Sequence, residues 1–194
     1  FAVLSASPCQ PWSNAGRQLA WNDEEKSKLW LQQVVHPITA GVPFLLLENV
    51  GETLKKFRHP ELGYVSPYTL LKSRLEEARY KVSYEMISAD EVGGSTRRSR
   101  IIIQAMHQDL YKFLHQVNEN GITRMESLAK ERLGDKYYIK NGMIWPKPQP
   151  VTSKQYIFNF MKPWDEVPSR FKLENTRYGG FSQDIRRFKH AWKL

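Results

Sequence analysis

Three kinds of side chain in this 194-residue sequence could take part directly in a reaction: the only cysteine, Cys9, a carboxylate at Glu48, and the guanidiniums of Arg98 and Arg100. A thiolate is strongly nucleophilic and can later be expelled, so it suits a covalent intermediate that forms and then breaks down. It must be exposed, with its charge stabilised by nearby cations or backbone donors. A carboxyl group held in a dry pocket is easier to protonate and can act as a general acid near neutral pH. A guanidinium can bind a carbonyl oxygen and stabilise charge that builds there. Each signal is weak alone. Free cysteines are mostly buried packing groups, a strand-end Glu commonly caps a turn or pairs with an arginine, and Arg97-Arg98-Ser99-Arg100 has the form of an ordinary solvated basic turn.

What gives these groups weight is the set of elements that must carry them. Phe1-Ala2-Val3-Leu4 is an apolar run with the character of a buried strand, and Pro8 cannot continue its hydrogen-bond ladder. Cys9 therefore stands at a strand exit. Pro43 to Asn49 reads as a second buried strand, without alternation, and delivers Glu48 at its end. Between them, Asn22 can cap a helix that begins Asp23-Glu24-Glu25, shows Leu29, Trp30 and Val34 on one face, and should end before Pro37. Such a crossover makes the two strands parallel in a right-handed βαβ unit and brings Cys9 and Glu48 to one sheet edge, where ligands of open α/β sheets bind.

Further along, Ser66-Pro67 starts a helix that carries Tyr68, Leu71, Leu75 and Ala78. Strands are expected over Tyr80 to Ile87 and from about Ser99 to Ala105, with a turn at Gly93-Gly94. Leu110, Phe113, Leu114 and Val117 step by three and four, which predicts a helix over 109–118 that stops at Asn120-Gly121. Thr123 and Glu126 have capping-box spacing, with Ile122 as the staple, and open a helix to about Leu133 that Gly134 ends. Lys147-Pro148-Gln149-Pro150 reads as a linker or rigid turn.

Pro8-Cys9-Gln10, followed by Ser13 and Gly16, resembles the nucleophile loop of the cytosine-C5 DNA methyltransferases. Leu45-Leu46-Leu47-Glu48-Asn49-Val50 is similar to that family's hydrophobic strand ending in Glu-Asn-Val, and Arg98-Ser99-Arg100 before Ile101-Ile102-Ile103 is similar to its Arg-x-Arg motif. The three occur in family order over residues 1 to about 105. The resemblance implies an α/β fold: a partial Rossmann-like methyltransferase sheet, its later strands including an antiparallel edge pair, plus the start of a small target-recognition region. It implies transfer of a methyl group from S-adenosyl-L-methionine to C5 of a flipped-out cytosine in DNA, through a covalent bond between cysteine and C6. In that reaction Cys9 is the nucleophile, Glu48 the group at N3, Arg100 the base contact and Arg98 an organiser of the loop. Gln10, Ser13, Asn49 and Thr96 would line the base pocket, with Asn49 bracing the loop.

Two departures qualify the likeness. Ser95-Thr96 stands where the family commonly has Pro-Gln, which puts a glutamine contact in doubt. The family's Gly-rich cofactor turn should precede Phe1, Gly93-Gly94 comes too late in the order to replace it, and the family's C-terminal Asn motif is not evident after residue 105. The expectation is a catalytic portion, residues 1–106, whose S-adenosyl-L-methionine site is incomplete and which acts as a fragment or split half completed by an N-terminal segment or subunit. Residues 107–194 would be connecting helices and a basic, aromatic-rich recognition region.

Composition supports nucleic acid as the partner. Residues 1–129 hold 15 Lys and Arg against 14 Asp and Glu, whereas residues 130–194 hold 14 against 6, so nearly all of the +9 net charge lies in the last third, together with 12 of the 24 aromatics. Phosphate backbones attract such a segment in a salt-dependent way, and its side chains could read a groove. A single cysteine excludes an internal disulfide framework and fits a reducing compartment. The expected setting is intracellular: the nucleus in a eukaryote, the cytoplasm or nucleoid otherwise. No apolar run approaches the roughly 20 residues of a membrane span. The competing reading is a non-catalytic nucleic-acid-binding remnant of such an enzyme; a redox or structural cysteine in an unrelated α/β domain would leave the motif order a coincidence.

Overall fold

A computed structural model of the chain describes residues 2–14, 19–92 and 98–148. Gly16, the expected Gly93-Gly94 turn, Thr96 and most of the basic C-terminal segment lie outside the described residues. The centre is a four-stranded mixed sheet in the order β1-β2-β6-β5. Strand β1 (Ala2–Ala6) runs parallel to β2 (Phe44–Asn49) with Ala6 opposite Glu48, and β2 runs antiparallel to β6 (Ser99–His107) with Glu48 opposite Ile102. Strand β5 (Tyr80–Ser88) pairs antiparallel with β6 and forms the sheet's outer edge, which is the expected edge pair.

Helix α1 (Glu24–Thr39) is the crossover between β1 and β2. Its cap is Asp23 rather than Asn22: the Asp23 carboxylate accepts from Lys26 N at 3.2 Å, while Asn22 belongs to the preceding 3-10 turn. The helix also runs past Pro37 instead of ending before it. Proline lacks only its own N–H, and in the last turn that removes a single bond, while the ring is buried and Ala40 N still closes onto His36 C=O. Helix α2 (Pro67–Glu77) is capped by Ser66, whose Oγ accepts from Thr69 N at 3.0 Å. The two helices are joined where Trp30 Nε1 donates to Pro67 C=O at 2.8 Å.

Alternation along the strands divides the sheet into two faces. Leu45, Leu47, Ile101 and Ile103 point toward α1 and α2 and meet Trp30, Leu71 and Leu75 in the main core, every one of them at most 1 % exposed. Burial of an aliphatic side chain of this size is worth roughly 1.5–3 kcal/mol. On the opposite face Phe44, Ile102 and Met106 are covered by helix α3 (Gln108–Leu114) and by a hairpin of β7 (Tyr137–Lys140) and β8 (Met143–Pro146), whose Met143 and Trp145 are buried there. Gln104 Nε2 donates to Ile144 C=O at 2.7 Å and so ties the hairpin to β6. This hairpin is a β-structure that the Tyr, Trp and Lys composition of the segment had not announced.

Helix α3 is shorter than the periodicity predicts. It closes at Leu114, because Val117 pairs with Thr123 and the Asn118 side chain takes the N–H groups of Asn120 and Ile122, organising a turn instead of another helical coil. Helix α4 (Arg124–Leu133) follows with the reciprocal Thr123–Glu126 capping box and ends at Gly134, as its spacing predicts. The two hydrogen bonds from Thr123 hold the Glu126 carboxyl below its usual range. A second hairpin, β3 (Phe57–His59) and β4 (Gly63–Val65), follows β2 and lies against the turn after Trp21. None of the described helices is long and apolar enough to cross a membrane.

Candidate active site

The ladder of β1 stops at Ala6, and the chain then turns at Cys9, whose carbonyl accepts from Trp12 N at 3.0 Å and from Ser13 N at 2.9 Å. That turn drives Trp12 into the core, where it is fully buried with its ring 4.8 Å from Trp21, 6.4 Å from Trp30 and 5.7 Å from Phe57. Trp12 therefore fixes the turn from inside. Cys9 is a free, partly buried thiol resting on the rim of the main core, neither sealed within it nor fully displayed. Gln10 is exposed and Ser13 half-buried beside it, and Asn14 Nδ2 donates to Glu52 Oε1 at 2.8 Å, linking this turn to the segment after β2.

Asn49 closes the loop against the sheet. It is 1 % exposed, its Nδ2 donates to Ser7 C=O at 3.0 Å and to Ser7 Oγ at 3.1 Å, and its Oδ1 accepts from Val50 N at 2.9 Å. Because Val50 N can only donate, the amide oxygen must face it and the NH₂ must face Ser7. The end of β2 thus holds the residue two positions before Cys9.

Glu48 is adjacent in sequence but points to the other face of the sheet. Arg100, at the start of β6, lies on that same face, and its Nε reaches Glu48 Oε1 at 2.8 Å while a terminal nitrogen donates to Ser99 C=O. The Glu48 side chain is 38 % exposed and that of Arg100 23 %. The dry pocket expected around Glu48 is not formed by the described residues: β2 ends there, and the carboxylate meets a guanidinium and solvent. Arg98 is exposed; its carbonyl accepts from Ala89 N, and its side chain has no hydrogen-bond or ion-pair partner among the described residues. Cys9, Glu48, Asn49, Arg98 and Arg100 all stand at the one edge where β1 and β2 end and β6 begins.

Two contributors to this site carry no role in the sequence reading: Trp12, which pins the cysteine turn, and Ser7, which receives Asn49. The spacing of Trp12, Trp21 and Trp30 is the trace that could have pointed to the first, since three tryptophans close in sequence on buried-strand connections tend to share a core. Nothing in the sequence singles out Ser7, because its part depends on a pairing 42 residues away.

Comparison with known proteins adds the following. The family described as C-5 cytosine-specific DNA methylase matches residues 2–179. The chain is 30% identical over 109 residues to the type II methyltransferase M.BsuFI of Bacillus subtilis, covering 56% of this chain and 25% of that protein. It is 30% identical over 112 residues to the type II methyltransferase M.Sau3AI of Staphylococcus aureus, covering 56% and 26%. The chain thus spans about a quarter of the length of these curated relatives. Among solved structures, the methyltransferase EhMeth of Entamoeba histolytica aligns with a TM-score of 0.39 at 16% identity, over 91% of this chain and 68% of that one.

Proposed function

Since the chain belongs to the C-5 cytosine-specific DNA methylase family, we propose that it carries the base-handling part of a DNA cytosine-5 methyltransferase, with Cys9 as the nucleophile. The observation that supports this best is the bonded path Cys9, Pro8, Ser7, Asn49, Glu48, Arg100, in which each link is a covalent neighbour or a hydrogen bond or ion pair of 2.8–3.1 Å. It gathers a nucleophile, an acid and a cation at one sheet edge.

The Cys9 thiolate forms a bond to C6 of a cytosine turned out of the duplex. The electron pair of the C5–C6 double bond moves onto the ring, which becomes an enamine with a nucleophilic C5. Glu48 in its protonated form hydrogen-bonds N3 or gives it that proton, so the ring accepts those electrons. Arg100 holds the base oxygen and keeps Glu48 oriented. Gln10 and Ser13 line the base, and Arg98 organises the loop. The addition reverses when C5, having taken a proton, loses one to a base: the C5–C6 double bond re-forms, the C6–S bond breaks, and the thiolate leaves.

The family implies S-adenosyl-L-methionine as the donor, and when bound it supplies an electrophilic methyl group. The described residues do not make its cradle. The glycine that follows β2, Gly51, has the space beside its α-carbon filled by Met86 Cε, 2.8 Å from where a Cβ would stand, so this close approach belongs to a protein side chain and not to a ligand. No step here is routed through the donor. DNA as substrate, completion by a further segment or subunit, and the division into 1–106 and 107–194 belong to the same proposal.

Addition at C6 can be tested without a donor. The enamine picks up a solvent proton at C5, and reversal then releases the original C5 hydrogen, so the whole protein should wash tritium out of duplex DNA made with [5-³H]cytosine. Cys9→Ser should abolish the release and Glu48→Gln should lower it strongly. With S-adenosyl-L-methionine, 5-fluorocytosine DNA should trap a covalent adduct, because fluorine cannot leave as the proton does. Tritium release that survives Cys9→Ser would refute the assignment.

A further inference from the structure

The hairpin of β3 and β4 has no part in the chemistry above, yet it is fastened to the cysteine turn. Its inner face carries Phe57, His59 and Val65; Phe57 meets Trp12 at 5.7 Å and His59 meets Trp21 at 5.0 Å, so the hairpin packs on the tryptophan that pins the Cys9 turn and on its neighbour. Its outer face is different. Arg58 and Tyr64 are register partners, hence side by side, and both are exposed, Tyr64 by 72 %. Lys55 and Lys56 lead into the hairpin and are exposed as well.

Several cations on the described helices sit beside an acid, as Lys28 with Glu24, Lys72 with Glu76 and Arg74 with Glu77 do. Lys55, Lys56 and Arg58 have no ion-pair partner among the described residues. Of the nearby acids, Glu52 is engaged with Asn14, and Glu61 lies at the hairpin tip. The result is a group of three exposed cations without ion pairs, with an aromatic ring beside it, on an arm that packs on the same tryptophans as the Cys9 turn.

We infer that this hairpin is a DNA-backbone clamp: Lys55, Lys56 and Arg58 take phosphates flanking the flipped cytosine, and Tyr64 packs on the adjoining sugar. The inference rests on DNA being the substrate. It assigns a positioning role, since phosphate contacts fix register on the duplex without reading sequence. Each phosphate neutralised contributes about −0.9 to the slope of log K against log salt.

The test follows from that independence of sequence: anisotropy of the whole protein on a labelled duplex of mixed sequence, titrated with salt. Replacing Lys55, Lys56 and Arg58 together by Ala should reduce the slope by about 2 to 3 and weaken binding about tenfold to a hundredfold near physiological salt. Arg58→Lys should keep the wild-type slope, which loss through misfolding would not restore. Tyr64→Ala should weaken binding about threefold or more with the slope unchanged, as expected for an uncharged packing contact that neutralises no phosphate. An unchanged slope in the triple variant, alongside intact tritium release by the wild type, would overturn the clamp and leave the proposed chemistry standing. Salt-dependent binding that falls in the triple variant, with no tritium release by the wild type, would support the clamp and remove the chemistry. A loss of slope confined to duplex RNA would overturn the assignment to DNA.

Discussion

Replacing Asn49 is the sharpest probe of how this site is built. Its amide makes three hydrogen bonds in a position 1 % exposed, two to Ser7 and one from the buried Val50 N–H. In Asn49→Ala the Val50 N–H and the Ser7 carbonyl lose their partners. A net bond is worth about 1 kcal/mol and an orphaned buried group costs about 1–3 kcal/mol, so the loss should be about 3–5 kcal/mol if water cannot enter. Asn49→Asp separates the two ends of the amide. It keeps an acceptor for Val50 N but turns a carboxylate oxygen toward the Ser7 carbonyl, so it should destabilise at least as much as Asn49→Ala near neutral pH and less in acid, where the carboxyl can donate. Ser7→Ala removes only the bond to Oγ and should cost about 1 kcal/mol or less. Urea unfolding gives the stabilities, and tritium release from [5-³H]cytosine DNA reads the site. Release should fall in the order wild type, Ser7→Ala, Asn49→Ala, with DNA binding less affected than release. If Asn49→Ala unfolds at the wild-type urea midpoint and releases tritium at the wild-type rate, the brace is not what holds the cysteine turn.

Two further outcomes follow from the packing. Trp12→Ala should cost about 3–5 kcal/mol as a large-to-small core change and should speed modification of Cys9 by a thiol reagent in the folded protein; unchanged Cys9 reactivity would mean that the turn does not depend on the buried indole. Burial, with smaller contributions from Tyr84 and Glu76, pushes the Tyr68 phenol up to about 12. The fold therefore favours the neutral phenol, so its contribution is complete below the unfolded value near 10 and is lost as pH rises from there through about 12. Tyr68→Phe should flatten the fall of the urea midpoint across that window, and a fall of equal steepness in the variant would refute this.

Much of the scaffold follows from local rules. Proline at 8 ends a ladder wherever the chain goes, Ser66-Pro67 and Thr123 with Glu126 satisfy helix N-termini from their own side chains, and buried apolar runs such as Leu45-Leu46-Leu47 have few states other than a strand. The errors fall where one local preference displaced another. Asp23 took the cap from Asn22, α1 ran on through a buried Pro37 at the loss of one hydrogen bond, and the turn built by the Asn118 side chain cut α3 short.

By itself the sequence determined which groups are present and that Cys9 and Glu48 follow strand ends, because residue type and hydrophobic pattern are local properties. Tertiary structure alone decided what those groups touch. The even and odd positions of β2 face opposite sides of the sheet, so Glu48 meets Arg100 while its neighbour Asn49 turns inward to Ser7. Which of the two sides receives a guanidinium and which a carbonyl depends on strand order and register, and those are set by packing between residues more than forty positions apart.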